Sequence, residues 1–141
     1  MARTIFISLP VSDVAASTRF YEAIGCTRDA RFSGDQAAAM IWSDTITFML
    51  ATHAFYRTLT SKPIGDAMTT SATLFALSCD TRAAVDAFAA NALAAGGREV
   101  HGAEDHGFMY SRGVEDPDGH GFGPVWMDEA AVTEPQLEPA L

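Results

Sequence analysis

Residues 9–26 read LPVSDVAASTRFYEAIGC, and this stretch places a helix directly after a strand. The apolar run at 4–11 is typical of a buried strand. Ser12 or Asp13 then offers a favourable N-cap, and Gly25 stands where a helix can end in a left-handed residue. The apolar stripe between these caps has helical spacing and consists of Val14, Ser17, Phe20, Tyr21 and Ile24. The stretch therefore predicts a strand followed by an amphipathic helix.

The same order of elements returns in the second half of the chain. An apolar strand at 71–79 leads to a helix capped by Asp80 or Thr81, and Gly96-Gly97 ends that helix. Between the halves, residues 53–56 allow a short helical turn, and residues 57–70 have the Pro, Gly and Thr content of a loop. The remaining strand candidates are 26–32, 36–43 and 45–52 in the first half and 98–101, 108–114 and 121–127 in the second. The pattern favours a duplicated module of one strand, one helix and three strands. The alternative is an α+β chain in which two unrelated strand–helix units occur by chance.

Two motifs resemble one known family. The opening stretch at 9–26 resembles the first module of the vicinal-oxygen-chelate superfamily, of glyoxalase/bleomycin-resistance type. EDPDGHGFGPVWMD at 115–128 resembles that family's Asp-Pro-Asp-Gly turn between its last two strands. The resemblance implies an α+β fold, with two βαβββ modules forming a curved open sheet around a cleft, and a homodimer. The expected organisation is a domain at 1–128 (module one 4–52, linker 53–70, module two 71–128) and an acidic tail at 129–141.

The resemblance also locates the family's metal ligands. In metal-dependent members, four inward-facing side chains, usually two His and two Glu, hold a divalent ion that polarises adjacent substrate oxygens. Carried over position by position, these sites fall on Phe6, Met49, Leu74 and Gly123. Aromatic, thioether and aliphatic groups and a glycine do not bind a hard or borderline divalent cation. We therefore expect an apolar cleft floor at these positions, no metal there and no cofactor.

The densest polar cluster is EDHGFMYSR at 104–112. In a strand that starts near Gly107, alternation places Phe108, Tyr110 and Arg112 on one face. If this face meets the cleft, it supplies a phenol donor and a fixed cation for an anionic or carbonyl-bearing ligand. The alternative is that Arg112 pairs with a nearby acid and Tyr110 packs. The candidate ligand-binding residues are Phe6, Met49, Leu74, Phe108, Tyr110, Arg112 and Gly123, and no catalytic residue is predicted.

Two functions fit these residues, and a dimeric module that serves only interaction, without a ligand-sized cavity, is a third possibility. The first is a small-molecule-binding protein that sequesters an organic ligand without a metal. The second is a family enzyme, a lactoylglutathione-lyase-like lyase, an isomerase or a dioxygenase, with a relocated metal or none. A relocated metal would have to use His53, His101, His106 or His120, but no His-x-His or His-x₃-His spacing supports it.

The charge and composition of the chain limit the classes of partner that it is expected to bind. The 141 residues carry 18 acids and 9 bases, a net charge of −9, which disfavours nucleic acid and anionic membrane surfaces. No apolar run approaches the roughly 20 residues of a membrane span, and the N-terminus lacks a signal-peptide pattern. Cys26 and Cys79 are too few for a disulfide framework. A cytoplasmic protein with a small organic ligand is the expectation.

Overall fold

The computed structural model describes residues 2–131, which form two four-stranded sheets flanked by helices. The first half contains β1 (Ile5–Val11), α1 (Val14–Ala23), β2 (Thr27–Asp29), a 3₁₀ turn (Ala30–Phe32), β3 (Ala37–Ser43), β4 (Ile46–Thr52) and the short helix α2 (His53–Tyr56). The second half contains β5 (Leu74–Ser78), α3 (Arg82–Ala94), β6 (Arg98–Asp105), β7 (Met109–Glu115) and β8 (Gly121–Met127). The predicted tail at 129–141 lies outside the described residues from residue 132 onward.

Both halves build their sheet with one topology. The strand order is β1-β4-β3-β2 in the first sheet and β5-β8-β7-β6 in the second. In each, the first strand runs parallel to the last, and the other pairs are antiparallel. The repeated order confirms the predicted α+β fold of two βαβββ modules, and both sheets are open. β6 runs on to Asp105, beyond the predicted strand end at residue 101.

The caps of the two long helices explain where they begin and end. The Asp13 carboxylate accepts a hydrogen bond from the Ala16 N–H at 3.0 Å, and the Thr81 hydroxyl accepts one from the Ala84 N–H at 3.0 Å. Each satisfies a backbone donor that the first helical turn leaves free. Beyond the helix ends, Gly25 has φ +117°, a left-handed backbone that favours glycine.

One aromatic cluster joins the modules. The Phe48 ring from β4 lies 5.6 Å from Phe75 of β5 and 5.6 Å from Phe122 of β8, centroid to centroid. Tyr21 from α1 lies 5.7 Å from Phe122 in an edge-to-face arrangement. Because these rings come from both halves, the two modules share a single core. No helix within residues 2–131 combines the length and apolarity that crossing a membrane requires.

Candidate functional site

Each sheet has one face against the helices and one face turned away from them, which we call its open face. In the first sheet, Phe48 and Leu50 are buried on the helix face of β4. Strand alternation puts Met49 on the opposite face, and the parallel register with β1 brings Phe6 to the same side. Phe6 is 66% exposed there. The open face of the first sheet therefore presents large apolar side chains to solvent.

A cavity of about 600 Å³ lies on this open face. Its apolar wall contains Phe6, Phe32, Ala39, Ile41 and Met49, and its polar wall contains Asp29, Arg31, Ser43, Asp44 and Thr47. Pockets for small organic ligands have this composition, a mostly apolar surface with a few placed polar groups. Two of the predicted ligand-binding residues, Phe6 and Met49, thus lie together in one cavity.

One of the two acidic residues of this cavity forms an ion pair, and the other does not. The Arg31 guanidinium binds the Asp29 carboxylate through two nitrogens, at 3.0 and 2.9 Å, and lies 5.3 Å from the centre of the Phe32 ring. The hydrogen bond from Arg31 lowers the pKa of Asp29 below its usual value. The carboxylate of Asp44 has no hydrogen bond or ion pair with any residue in 2–131. The uncompensated charge of the cavity is therefore negative.

The open face of the second sheet is built differently. The β5–β8 register puts Leu74 beside Gly121 and Ala76 beside Gly123. A Cβ at Gly121 would come within 2.7 Å of Leu74 Cδ2, so the Leu74 side chain lies across this glycine. The His101 ring covers Gly113 in the same way, 2.5 Å from the position of a Cβ. The space expected beside these small residues is therefore partly filled, and Leu74 and Gly123 do not line the 600 Å³ cavity.

The predicted position of Tyr110 and Arg112 on the wall of the same cleft is wrong. Antiparallel pairing with β8 matches Tyr110 with Trp126, on the face that packs against α3. The Tyr110 hydroxyl donates to Asp86 of α3 at 2.7 Å, and Arg112 lies 3.3 Å from the same carboxylate. The physical reason is strand alternation, because Tyr110 and Arg112 share the face of Val114, which is buried in the core on the helix side.

A second arginine holds this helix-facing cluster together. The Arg82 guanidinium lies 5.2 Å from the centre of the Tyr110 ring and 4.8 Å from that of Trp126. It also forms an ion pair with Asp105 at 2.6 Å and donates to the Gly107 carbonyl at 2.8 Å. Phe108, the remaining predicted residue of this strand, precedes β7, and its carbonyl accepts the Asp128 N–H at 2.7 Å. These contacts fasten the β6–β7 hairpin to α3.

The histidines take different roles. His101 Nδ1 lies 3.6 Å from Glu104 Oε1, and His106 Nε2 lies 3.7 Å from Glu104 Oε2. His120 Nε2 donates to the Pro10 carbonyl at 2.8 Å. Among residues 2–131, no group of three or more His, Cys, Asp or Glu side chains is arranged to hold a metal ion. Glu104 was not a predicted site residue, and His101 was named only as a ligand of a relocated metal. Register shifts in β6 hide the face of both residues from simple alternation.

These features define the class of protein: an α+β domain of two βαβββ modules with an apolar cavity on one open face. The model of the Glyoxalase/Bleomycin resistance protein/Dioxygenase superfamily matches residues 4–123, and the chain belongs to this family. That confirms the resemblance noted in the sequence. Phe6, Met49, Leu74 and Gly123 offer no oxygen or nitrogen side-chain donor, so these residues do not fit the divalent ion of metal-dependent members.

Solved structures support the same fold. A glyoxalase-related enzyme from Fulvimarina pelagi aligns with a TM-score of 0.76 and 19% identity, covering 89% of this chain and 88% of its own. A glyoxalase/bleomycin resistance protein/dioxygenase family enzyme from Burkholderia phytofirmans PsJN aligns with a TM-score of 0.74 and 18% identity, covering 89% and 99%. A hypothetical protein from S. aureus aligns with a TM-score of 0.76 and 20% identity, covering 89% and 94%. No curated protein matches the chain. At these identities the likeness establishes the fold alone.

Proposed function

We propose that this protein binds a small, mostly apolar organic ligand on the open face of its first sheet, without a metal at the family's usual position. The observation that carries the proposal is the cavity of about 600 Å³ whose wall contains Phe6 and Met49. These two positions hold metal ligands in the metal-dependent relatives that the sequence resembles. Replacing donors by apolar groups suits hydrophobic binding rather than coordination.

The charges of the cavity favour a ligand that is neutral or carries a positive group. Asp29 neutralises Arg31 through its two-nitrogen ion pair, which leaves that cation little affinity for an anion. Asp44 has no such partner in the described part of the chain. A flat apolar molecule would contact Phe6 and Phe32, and an attached amine would lie near Asp44. Sequestration of such a ligand is the function we infer.

Removing one aromatic wall of the cavity should weaken binding. Phe6→Ser takes away an apolar surface of roughly 80 Å², and at about 25 cal/mol per Å² this costs about 2 kcal/mol of binding energy. The neutral fluorophore N-phenyl-1-naphthylamine serves as the probe, and its fluorescence titration gives the Kd. We expect about a thirtyfold rise in Kd.

Leu59→Ser is the matched control, since Leu59 is 54% exposed and lies outside the cavity. It should leave the Kd of the probe unchanged. Equal Kd values for the wild type and Phe6→Ser would contradict the proposed site. Thermal unfolding of both variants shows whether the fold is retained.

A family enzyme is the second candidate, and one observation favours it. His101 and Glu104 lie within 3.6 Å of each other on the second sheet, and an imidazole beside a carboxylate can transfer protons. Turnover of a methylglyoxal–glutathione hemithioacetal or of a catechol separates the two candidates. Turnover that His101→Gln abolishes would favour the enzyme, and ligand binding without turnover would favour sequestration.

We also propose that the protein works as a homodimer. Leu74 on the second open face is 77% exposed. A second copy would cover such apolar surface and the strand edges beside it. Light scattering at micromolar concentration should then give a mass of about 30 kDa, against 15.0 kDa for one chain. A mass equal to that of one chain would contradict the dimer.

A further inference from the structure

Two adjoining cavities share no lining residue with the cavity of the first open face and lie where the end of β1 meets the 57–73 loop and the β7–β8 turn. Their volumes are about 260 and 180 Å³, and both are lined by Pro10, Gly65, Ala67 and His120. We call them together the seam site, because they lie where the two modules meet. The larger cavity has an apolar wall of Ile7, Leu9 and Phe75.

The smaller cavity contains a carboxylate that is only half satisfied. Asp118 Oδ1 accepts the Ser12 N–H at 2.9 Å. Asp118 Oδ2 is buried and has no hydrogen-bond partner within residues 2–131. A buried acceptor without a donor destabilises the folded chain, and more so when it is charged. Asp118 lines the smaller cavity, and a rotation of its carboxylate would bring this oxygen to the N–H donor of a ligand there.

His120 adds a second acceptor to the same wall. Its Nε2 lies 2.8 Å from the Pro10 carbonyl, and a carbonyl oxygen only accepts, so Nε2 carries the proton. In the neutral ring, Nδ1 is therefore an acceptor. Asp118 and His120 together suit an ammonium group, which has three donors and no acceptor.

A positively charged residue, Arg57, also lies on the wall of the smaller cavity. Arg57 follows α2 and lines the smaller cavity with Asp118. Its guanidinium makes no hydrogen bond or ion pair with other described residues, so its donors are free for a ligand carboxylate. An ammonium and a carboxylate on one small molecule would match Asp118 and Arg57 at the same time.

We propose that the seam site binds an amino acid with an apolar side chain. The ammonium group meets Asp118 Oδ2 and His120, the carboxylate meets Arg57, and the side chain enters the larger cavity beside Leu9 and Phe75. The two cavities are of a size for such a ligand, since they are comparable to pockets that hold a single small molecule. The proposal is independent of the ligand on the first open face.

Calorimetric titration with three related probes tests the two-point recognition. L-phenylalanine carries both charges, 3-phenylpropionate lacks the ammonium, and 2-phenylethylamine lacks the carboxylate. We expect saturable binding of one L-phenylalanine per chain. Each single-charge probe should bind at least about tenfold more weakly, the effect of losing one charge-assisted hydrogen bond.

Charge-removing variants then assign each contact. Arg57→Gln should abolish the preference for L-phenylalanine over 2-phenylethylamine, and Asp118→Asn should abolish the preference over 3-phenylpropionate. Arg19→Gln and Asp35→Asn are the matched controls, because both residues are exposed and outside the seam site. They should leave all three Kd values unchanged.

Three results would overturn the seam site. The first is no saturable binding of L-phenylalanine in the millimolar range, which would mean that water alone serves Asp118. The second is binding that neither Arg57→Gln nor Asp118→Asn weakens. The third is binding that Phe6→Ser removes, which would put the amino acid on the open face of the first sheet. Arg57 is exposed, so its variant remains informative if Asp118→Asn fails to fold.

Discussion

Phe48→Ala is expected to lower the free energy of unfolding by about 3–5 kcal/mol. The Phe48 side chain is fully buried, and its ring lies within 5.7 Å of the rings of Tyr21, Phe75 and Phe122. Truncation to a methyl group removes these contacts and leaves a cavity that the surrounding side chains cannot fill. Urea denaturation, with the variant and wild type at one protein concentration, measures the difference.

Phe32→Ala is the matched control, the same change at a ring that is 63% exposed. It should cost less than about 1 kcal/mol, as surface substitutions do. The Trp42 ring of β3 lies 6.0 Å from the Phe88 ring of α3, so it reports on the contact between the modules, and Trp126 of β8 reports on the second module. Their transitions should coincide because the modules share one core. An equal cost for both variants, or separate transitions in single-tryptophan variants, would contradict a shared core.

The local parts of the fold could be predicted because short-range chemistry determines them. Asp13 caps α1 through an amide three residues away, and Gly25 takes the left-handed backbone that few other residues adopt. Both signals lie within one stretch of sequence. The repeated topology followed from their recurrence at Thr81 and Gly96, where the second helix begins and ends.

The faces of the second sheet could not be predicted in the same way. Alternation puts Tyr110 and Arg112 on one side of β7 but does not say which side meets the helix. That choice follows from the shared core, where Val114 of β7 and its partner Phe122 of β8 are buried on the helix face. In β6, register shifts interrupt alternation altogether, and His101 and Glu104 could not be assigned to a face.

The residues of the first-sheet cavity could be predicted only at the positions that the family resemblance identified. Phe6 and Met49 were found through the expected ligand positions, and they line one cavity. The seam site had no such signal, because the Asp116–Gly119 segment reads as an ordinary turn. Its contact with the first module, the Ser12 N–H to Asp118, spans 106 residues, and only the folded chain brings these two groups together.

The carboxylate of Asp116 is buried and accepts three hydrogen bonds. Its Oδ2 accepts the Tyr21 hydroxyl at 2.8 Å, and its Oδ1 accepts the N–H groups of Asp118 and His120, both at 2.9 Å. Burial raises the pKa of Asp116 above its usual value of 3.8, although the neighbouring His120 and the hydrogen bonds act in the opposite direction. Burial and the nearby Asp116 also raise the pKa of Tyr21, which therefore stays a neutral donor.

Tyr21→Phe should lower the free energy of unfolding by about 1.5–3 kcal/mol at neutral pH, the range for a hydrogen bond to a charged group. The change leaves Oδ2 of a buried, ionised carboxylate without its hydroxyl donor. The loss should be smaller in acid, where Asp116 is protonated and the hydrogen bond is no longer charge-assisted. Urea denaturation at a series of pH values measures it, with Tyr56→Phe as the control at a half-buried tyrosine.

The pH dependence of Asp116 itself has a definite sign. Because its pKa is higher in the folded chain than in the unfolded one, the folded chain binds the proton more tightly. Stability relative to Asp116→Asn, which cannot ionise, should therefore rise as pH falls from neutral through the folded pKa towards 3.8, and should level off below that value. Taking the difference from this variant cancels other carboxylates such as Asp29, whose lowered pKa gives the opposite trend. If the stability relative to Asp116→Asn instead decreases as the pH is lowered through this window, the groups that lower the pKa outweigh burial, and Asp116 stabilises the fold as an anion.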